Sequence, residues 1–385
     1  MTGKKSLSHF RRYFPLTKKC IYLNNASEGP LPLPAKRVME RFLHHSSYTE
    51  NEHDAESFRI VEEVRGKCAK LIGAKSSEIA LTTNTSYGLN LVCRGLKLKS
   101  GDEVLLPEME FPANVYPWLN LKSEGIRVRL VKTDNGFFDI DRFCDAITPK
   151  TRVFSISFVQ FFNGYKNDLK TLGEICKERD IFFVVDGIQG VGNQILDVKR
   201  CKIDLLSCGG HKWLLSPPGT GFVYLSSEAK RSLGTPFSGW LSVDWCQGKK
   251  KPDFTNLLRY DLRPFETARR FEFGSYPVVD IRGFDACLDI LLSAGIKNIE
   301  KHNRRLLRLL IDYINSSSGY ELKSSLEEKH LSSIINFTGP GIKRLHSKLS
   351  QKGIITSLRE AGIRVSPHLY NNETEIRKLI GVLEN

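Results

Sequence analysis

Short apolar runs alternate with longer amphipathic stretches through the middle of the chain, from about residue 78 to residue 224. The apolar runs predict β-strands at 79–82, 103–106, 127–131, 152–158, 181–185, 205–207 and 221–225. Stretches of helical character lie between them at 86–96, 114–123, 140–147 and 169–179. Strands that alternate with helices in this way are typical of an α/β fold, a mostly parallel sheet with helices on both faces. The run 181–185 is apolar at every position, as expected for a strand covered on both sides.

Amphipathic helices are also predicted on either side of this region, at 34–48 and 55–72 before it and at 278–294 and 299–314 after it. The rest of the chain again alternates helix and strand. We therefore expect an N-terminal arm at 1–20, a large domain at 21–295 and a smaller C-terminal α/β domain at 296–385.

Composition supports an ordinary globular protein, since 41% of the 385 residues are hydrophobic and 26% are charged. No apolar stretch approaches the 18 residues that a membrane span needs, and the first residues lack the apolar core of a secretory signal. The nine cysteines form no Cys-x-x-Cys pair, which argues against a metal site or a disulfide framework. These features predict a cytoplasmic protein without a membrane partner or a metal.

The net charge of +14 raises the question of a nucleic-acid partner. The basic residues are spread along the chain, and no nucleic-acid-binding motif accompanies them, so the sequence does not favour that partner. A basic surface equally suits an enzyme with an anionic cofactor and a carboxylate substrate.

Asp186 and Lys212 are the residues with the clearest chemical meaning. Asp186 closes an apolar strand, and Lys212 ends the sequence Gly-Gly-His-Lys at 209–212. A lysine can form a Schiff base with the aldehyde of pyridoxal phosphate (PLP), while a buried carboxylate keeps the pyridine nitrogen protonated and the ring electron-poor. An exposed lysine and a strand-end aspartate are common by themselves, so this interpretation depends on the residues around them.

Several such residues occur at consistent spacings. Thr85 and Ser86 stand at the predicted start of a helix, where backbone N–H groups favour a phosphate, although a plain helix cap also explains them. Phe111 follows the next strand and can lie flat on a heteroaromatic ring, or else pack in the core.

Three further side chains have candidate roles. Gln189, just after Asp186, can contact a ring hydroxyl, and His211 can reach the phosphate. Arg364 lies on a late predicted strand and is a natural fork for a substrate carboxylate, with a surface ion pair as the alternative.

Between residues 21 and 379 the chain resembles the class V aminotransferases, a group of fold-type I PLP enzymes. Cysteine desulfurases, selenocysteine lyases, isopenicillin N epimerase-like proteins and kynureninase belong to this group. The sequence Tyr-Leu-Asn-Asn-Ala-Ser at 22–27 is similar to the family's Tyr-Leu-Asp-Asn-Ala-Ala. Asp186, Gln189, His211 and Lys212 match the family's motifs residue for residue.

The resemblance implies a PLP cofactor bound to Lys212 and held by the other residues already singled out. It also implies that Arg364 binds the substrate carboxylate. The sequence Phe-Glu-Phe-Gly-Ser at 271–275 resembles a segment that reaches the neighbouring subunit's phosphate through its hydroxyl. Ser275 would have this role here, in a homodimer.

Two positions depart from the family pattern. Gly209 stands where a phosphate-binding serine is common, so that contact is missing or is supplied by Ser207. Phe161 replaces an asparagine common near the cofactor of desulfurases, with Gln160 and Asn163 as alternative amides.

The implied chemistry starts from an amino acid bound as an external aldimine, whose Cα carbanion forms when Lys212 removes the α-proton. We rank an aminotransferase first, then a C–S or related lyase, then an epimerase. No cysteine follows Cys287, and Cys208 is expected to be buried, so we expect a poor desulfurase of the persulfide-transfer kind. A non-catalytic binding protein and a nucleic-acid-associated protein are the alternatives from other classes.

Overall fold

A computed structural model describes residues 7–48, 53–247 and 254–384. The β-strands are β1 (Ile21–Tyr22), β2 (Ile79–Thr82), β3 (Glu103–Pro107), β4 (Arg127–Val131), β5 (Thr151–Ser157), β6 (Phe182–Asp186), β7 (Leu205–Gly209), β8 (Gly221–Leu225), β9 (Glu321–Leu322), β10 (Ile335–Thr338), β11 (Ile354–Ile355), β12 (Ser357–Arg359) and β13 (Gly362–Val365). The α-helices are α1 (Leu33–Tyr48), α2 (His53–Ile72), α3 (Thr85–Gly95), α4 (Tyr116–Leu119), α5 (Ile140–Ala146), α6 (Leu169–Glu178), α7 (Ser227–Ser232), α8 (Val278–Ala294), α9 (Ile296–Ser316), α10 (Ile342–Gln351) and α11 (Glu373–Leu383).

The largest sheet has seven strands in the order β2-β8-β7-β6-β5-β3-β4 within the described residues. Strands β3 to β7 pair in parallel, and β8 runs antiparallel to both of its neighbours. This mostly parallel sheet is the one that the alternating pattern predicts. The strand order reverses between β3 and β5, and ligands of open α/β sheets bind beyond the strand ends at such a point.

A second sheet, β12-β13-β10-β9, is antiparallel and lies in the C-terminal part of the chain. Its apolar face and one side of α9 and α11 share a hydrophobic cluster separate from the two that cover the large sheet. Strand β1 pairs in parallel with β11, so the N-terminal segment contacts this C-terminal part. The domain limits at 20 and 295 stay a prediction.

Helix α3 approaches the large sheet closely because it carries a glycine on the inner side. A Cβ atom at Gly88 would lie 2.3 Å from Val223 Cγ2 and 2.4 Å from Ser207 Oγ, well inside van der Waals contact. The absence of that atom lets the N-terminus of α3 lie beside the carboxyl end of β7.

The predicted elements match the structure except between residues 114 and 123. That stretch was expected to be one helix, but it is divided into two 3-10 turns and the four-residue α4. Pro117, early in the stretch, cannot donate a backbone N–H to a continuous helix, which accounts for the division. In the described part of the chain no helix is long and apolar enough to cross a membrane.

A buried ion pair fixes the segment that precedes α8. Arg65 of α2 and Glu272 form this pair, and their side chains are 1% and 2% exposed. Glu272 also accepts hydrogen bonds from the Leu81 N–H and the Tyr276 hydroxyl. The carboxylate thereby ties α2, β2 and this segment together.

We predict that Glu272→Ala lowers the free energy of unfolding by about 3–5 kcal/mol, because it leaves the Arg65 guanidinium buried without its counter-ion. Urea denaturation measures the change. Glu62→Ala is the control, since Glu62 contacts the same arginine from an exposed position and should cost less than about 1 kcal/mol. Equal losses in the two variants would contradict the prediction.

Candidate active site

The segments that follow β3, β5, β6 and β7 meet the C-terminal sheet around one cavity of about 320 Å³. Eight of the residues predicted from the sequence line it, namely Thr85, Ser86, Phe111, Asp186, Gln189, His211, Lys212 and Arg364. The others are Ala26, Ser27, Asn84, Ala113, Phe161, Ile188 and Arg359. Residues far apart in sequence therefore form one compact site at the switch point of the sheet.

Lys212 lies just beyond β7 and is only 9% exposed. Its Nζ lies 5.3 Å from the centre of the Phe111 ring. Burial lowers the pKa of the amine, the Asp186 carboxylate opposes this effect, and the guanidinium of Arg364 adds to it. The side chain is therefore closer to a neutral, nucleophilic amine at neutral pH than an exposed lysine is.

Asp186 ends β6 and is 2% exposed. Its carboxylate accepts a hydrogen bond of 3.0 Å from the Ile188 N–H. Burial raises its pKa, the Ile188 hydrogen bond lowers it, and the nearby Glu110 carboxylate raises it further. A carboxylate in this setting gains from a cationic group placed in the cavity.

The N-terminus of α3 forms one end of the cavity. Asn84, which the sequence interpretation missed, is its N-cap and accepts from the Tyr87 N–H at 2.9 Å. The Thr85 hydroxyl accepts from the Gly209 N–H at 2.9 Å, and the Thr85 carbonyl accepts from the Ser207 hydroxyl at 2.8 Å. Ser207 is fully buried and does not line the cavity, so of the two alternatives for position 209 the structure favours a missing contact.

An aromatic pair forms the side of the cavity next to Lys212. The rings of Phe111 and Phe161 lie 5.2 Å apart in an edge-to-face arrangement.

The two amides expected as alternatives near the cofactor do not line the cavity. Gln160 donates to Glu110, and Asn163 donates to the Asn135 carbonyl.

Gln189 lines the cavity while both ends of its amide are engaged elsewhere. Its nitrogen donates to the Ala26 carbonyl at 3.0 Å, and its oxygen accepts from the Trp213 indole at 2.8 Å. The second N–H of the amide remains to be donated to a ligand.

His211, beside Lys212, is half-buried. Its pKa is lowered by burial and by the charge of Lys212.

A hairpin of the C-terminal sheet delivers two arginines rather than the one predicted. Arg364 on β13 pairs with Ser357 on β12, and Arg359 lies two residues further along β12 on the same face. The tight turn between the strands has left-handed backbone at Glu360 and Ala361. Strand alternation across the Arg-Glu-Ala-Gly turn is the signal by which Arg359 was predictable.

Ser27 lies between the two guanidinium groups. Its hydroxyl accepts from Arg364 at 2.6 Å and from Arg359 at 3.3 Å. Burial, followed by the repulsion of Arg359, lowers the pKa of Arg364 to about 9. Neither arginine forms an ion pair with a carboxylate of the described residues. This part of the cavity therefore favours an anion.

Ser275 lies outside this cavity. It is exposed and borders a different one of about 250 Å³, together with Glu272, Phe273 and Tyr276. Within one chain the structure does not bring it to the site residues.

Glu110 is a second buried carboxylate that the sequence interpretation missed. It accepts hydrogen bonds from the Ser157 N–H and from the Gln160 side chain, both at 2.8 Å, and also from the Ser157 hydroxyl and the Asn114 amide. These bonds fix the segment that carries Phe111 to the end of β5.

Three observations indicate that the residues lining the cavity fit PLP. The buried Asp186 carboxylate suits a protonated ring nitrogen, the start of α3 offers N–H groups to a phosphate, and the buried Lys212 amine suits an aldehyde. Glycine at position 209 avoids a tight contact next to the start of α3, because a Cβ atom there would lie 3.2 Å from Thr85 Oγ1.

Comparisons with known proteins agree with this fit. The profile of a family described as "Aminotransferase class-V" matches residues 21–379. A probable cysteine desulfurase from Methanothermobacter thermautotrophicus is 30% identical over 97% of this chain and 96% of its own length.

Solved structures share the fold. The apo cysteine desulfurase from Thermococcus onnurineus NA1 superposes with a TM-score of 0.87 at 23% identity, over 100% of this chain and 98% of that one. The cystine C–S lyase C-DES, solved in complex with its reaction product cysteine persulfide, gives a TM-score of 0.86 at 22% identity, over 97% and 99%. The predicted fold-type I architecture is confirmed.

We predict that Lys212 of the cofactor-free protein reacts with an amine-acylating reagent with an apparent pKa below that of exposed lysines. Asp186→Asn should lower that pKa further, because the carboxylate attraction is what opposes the effect of burial. Competitive labelling across pH with peptide mass spectrometry measures both, and Lys177 is the internal control because its ion pair with Glu228 raises its pKa. Titration of Lys212 in step with Lys177 would contradict the prediction.

Proposed function

The chain belongs to the class-V aminotransferase family and is a PLP-dependent enzyme, and from that premise we propose that it cleaves the C–S bond of a sulfur amino acid with a second anionic group. Cystine is the simplest substrate of this kind. The observation that carries the proposal is an aromatic wall, Phe111 and Phe161, that faces two arginines around one amine. These arginines, Arg359 and Arg364, form no ion pair with a carboxylate in the described part of the chain.

The aromatic wall favours sulfur as the leaving atom. Phe111 and Phe161 offer their rings, and sulfur makes favourable contacts with aromatic rings. Neither ring can protonate a departing group. A group that leaves beside them must be stable as an anion near neutral pH, which suits a thiolate or persulfide better than a hydroxide.

The cysteines do not support a protein-bound persulfide. No cysteine lines the cavity formed by the described residues. Cys208 is fully buried, and burial raises the pKa of its thiol well above the ordinary value. A persulfide-forming cysteine must ionise and reach the substrate sulfur, so this chain suits direct elimination instead.

The two arginines suit two anionic groups of one substrate. Arg364 is 2% exposed and is the deeper of the two, which suits the α-carboxylate near Lys212. Arg359 is half-buried and lies on the same face of the hairpin, which suits an anion further from the reacting carbon. A substrate would replace the Ser27 hydroxyl as the acceptor between them.

Each site residue has a task in this reaction. Bound PLP supplies an aldehyde for the substrate amine and a ring that withdraws electrons from Cα. Lys212, whose pKa is lowered, takes the α-proton as a neutral amine. Asp186 holds the proton of the ring nitrogen, while Thr85, Ser86 and His211 hold the phosphate.

Transamination, ranked first from the sequence, needs the same residues up to the removal of the α-proton. It stays a prediction that no observation tests. The desulfurase names of the relatives favour the C–S lyase alternative, which was ranked second.

Product analysis separates the two reactions. With cystine and water, the holoenzyme should release a keto acid, ammonia and cysteine persulfide in equal amounts. Mass spectrometry of the intact protein should find no persulfide on it. Transfer of the amino group to an added keto acid, without ammonia, would contradict the elimination and restore the aminotransferase.

We predict that Arg359→Ala raises the KM for cystine about 10- to 100-fold and changes the KM for cysteine little. The range corresponds to the loss of one charge-assisted hydrogen bond, about 1.5–3 kcal/mol. Arg364→Ala is the matched control and should raise the KM for both substrates. If Arg359→Ala affects cystine and cysteine alike, the second anionic group is not recognised there.

We further propose that the active unit is a homodimer. Phe237 and Phe273 are 42% and 38% exposed, and their rings lie 5.8 Å apart. Trp240 is 42% exposed, and exposed Leu258 follows in the same region of the chain. Exposed aromatic surface next to Ser275 suits a second copy that would receive the Ser275 hydroxyl at its phosphate.

Phe273→Asp should convert the dimer to a monomer and weaken PLP binding, because each site would lose the partner's hydroxyl. Sedimentation and equilibrium titration with PLP measure the two effects. Leu326→Asp is the control, an equally drastic change at a 55% exposed leucine outside this surface. A wild-type monomer that binds PLP and is active at micromolar concentration would refute the proposal.

A cytoplasmic location is part of the same proposal. All nine cysteines are free, as expected in a reducing compartment.

A further inference from the structure

The turn that carries Lys212 is held through its backbone carbonyls. The His211 carbonyl accepts from the Gly29 N–H at 2.8 Å, and the Lys212 carbonyl accepts from the Asn25 side chain at 3.3 Å. The Trp213 carbonyl contacts Nε2 of His368 at 3.2 Å. Three consecutive carbonyls thus bond to partners that come from the two ends of the chain.

The tautomer of His368 follows from its other nitrogen. Nδ1 accepts the Leu369 N–H at 2.6 Å, so in the neutral ring the proton lies on Nε2, which donates it to the Trp213 carbonyl. The ring is fully buried, and burial lowers its pKa to about 4, so it stays neutral at working pH. The chemistry described above does not use this histidine.

His368 also belongs to the segment that carries the carboxylate-binding strand. It follows Arg364 by four residues, and its own N–H is fixed by Asn371 Oδ1 at 2.8 Å. Between them, Ser366 accepts the Asn25 N–H at its carbonyl and the Ala26 N–H at its hydroxyl. A short stretch of backbone, hydrogen-bonded at Ser366 and His368, therefore joins Arg364 to the side chain that contacts the Lys212 turn.

We propose that His368 is a positioning residue that sets the Lys212 amine relative to Arg364 by donating to the Trp213 carbonyl. The inference rests on Lys212 carrying the cofactor and on Arg364 binding the substrate carboxylate. A lysine that must reach the aldehyde and later the α-proton tolerates little displacement, since an error of about 1 Å costs about 100-fold in rate.

The ring has a packing role that a test must separate from donation. Its centroid lies 5.5 Å from the Trp213 ring and 5.8 Å from the Tyr370 ring. His368→Phe keeps an aromatic ring there and removes the donor, whereas His368→Gln keeps a donor near the position of Nε2. His302→Phe is the matched control, because His302 contacts the Asn371 carbonyl of the same segment but not the lysine turn.

The experiment uses the holoenzymes of wild type and the three variants. The visible absorbance of PLP bound to Lys212 is titrated with pH, and kcat and KM are measured for the best substrate. We expect His368→Phe to shift the midpoint of the absorbance titration and to lower kcat about tenfold or more, with KM within about threefold. His368→Gln should bring the midpoint and kcat most of the way back to the wild-type values. His302→Phe should leave the midpoint unchanged and kcat within about twofold of wild type.

Other results would overturn the inference. Wild-type midpoint and kcat in His368→Phe would show that donation is not needed, and a loss in His368→Gln equal to that in His368→Phe would show that a donor at this position does not set the lysine turn. Should His368→Phe fail to fold, His368→Met replaces it with the same expected outcomes. Absence of Lys212-bound PLP in the wild-type protein would instead refute the role of Lys212, so the two failures are distinguishable.

Discussion

The burial of two opposite charges at the carboxyl edge of the large sheet is the constraint on which the site depends. Asp186 and Lys212 are 2% and 9% exposed, and burial shifts each pKa toward the neutral form. Few protein groups take the place of the water that would solvate these charges, so the pKa of each group depends on what occupies the cavity. A cationic ring nitrogen and an aldehyde satisfy them together, which is why the pair suits PLP.

The C-terminal sheet supplies what the large sheet lacks. The large sheet positions the amine, the carboxylate and the start of α3, while the β12–β13 hairpin brings Arg359 and Arg364 to the same cavity. The N-terminal segment around Asn25 and Ser27 bonds to both parts. The residues proposed to bind the substrate and those proposed to bind PLP thus come from different parts of the chain and meet only in the folded protein.

Much of this was predictable because the fold follows from local pattern. Strand β6 is apolar at each position up to Asp186, and its predicted limits differ from the structure by one residue at each end. The order of Asp186, Lys212 and Arg364 along the chain matched a family pattern, so these residues could be identified as site candidates from the sequence alone. The broken helix near Pro117 was missed because one proline was outweighed by helical character around it.

What could not be predicted depends on contacts between distant residues. Glu110 and His368 gave no sequence signal, since their roles depend on Ser157 and Trp213, which lie 47 and 155 residues away. In the proposed reaction, one amino acid with two anionic groups spans Arg364 and Arg359 while its Cα faces position 212. A crystal structure of Lys212→Ala with PLP and cystine tests it most directly. We expect one cystine carboxylate on each arginine, and a distal carboxylate in solvent with Arg359 unengaged would rule out this binding mode.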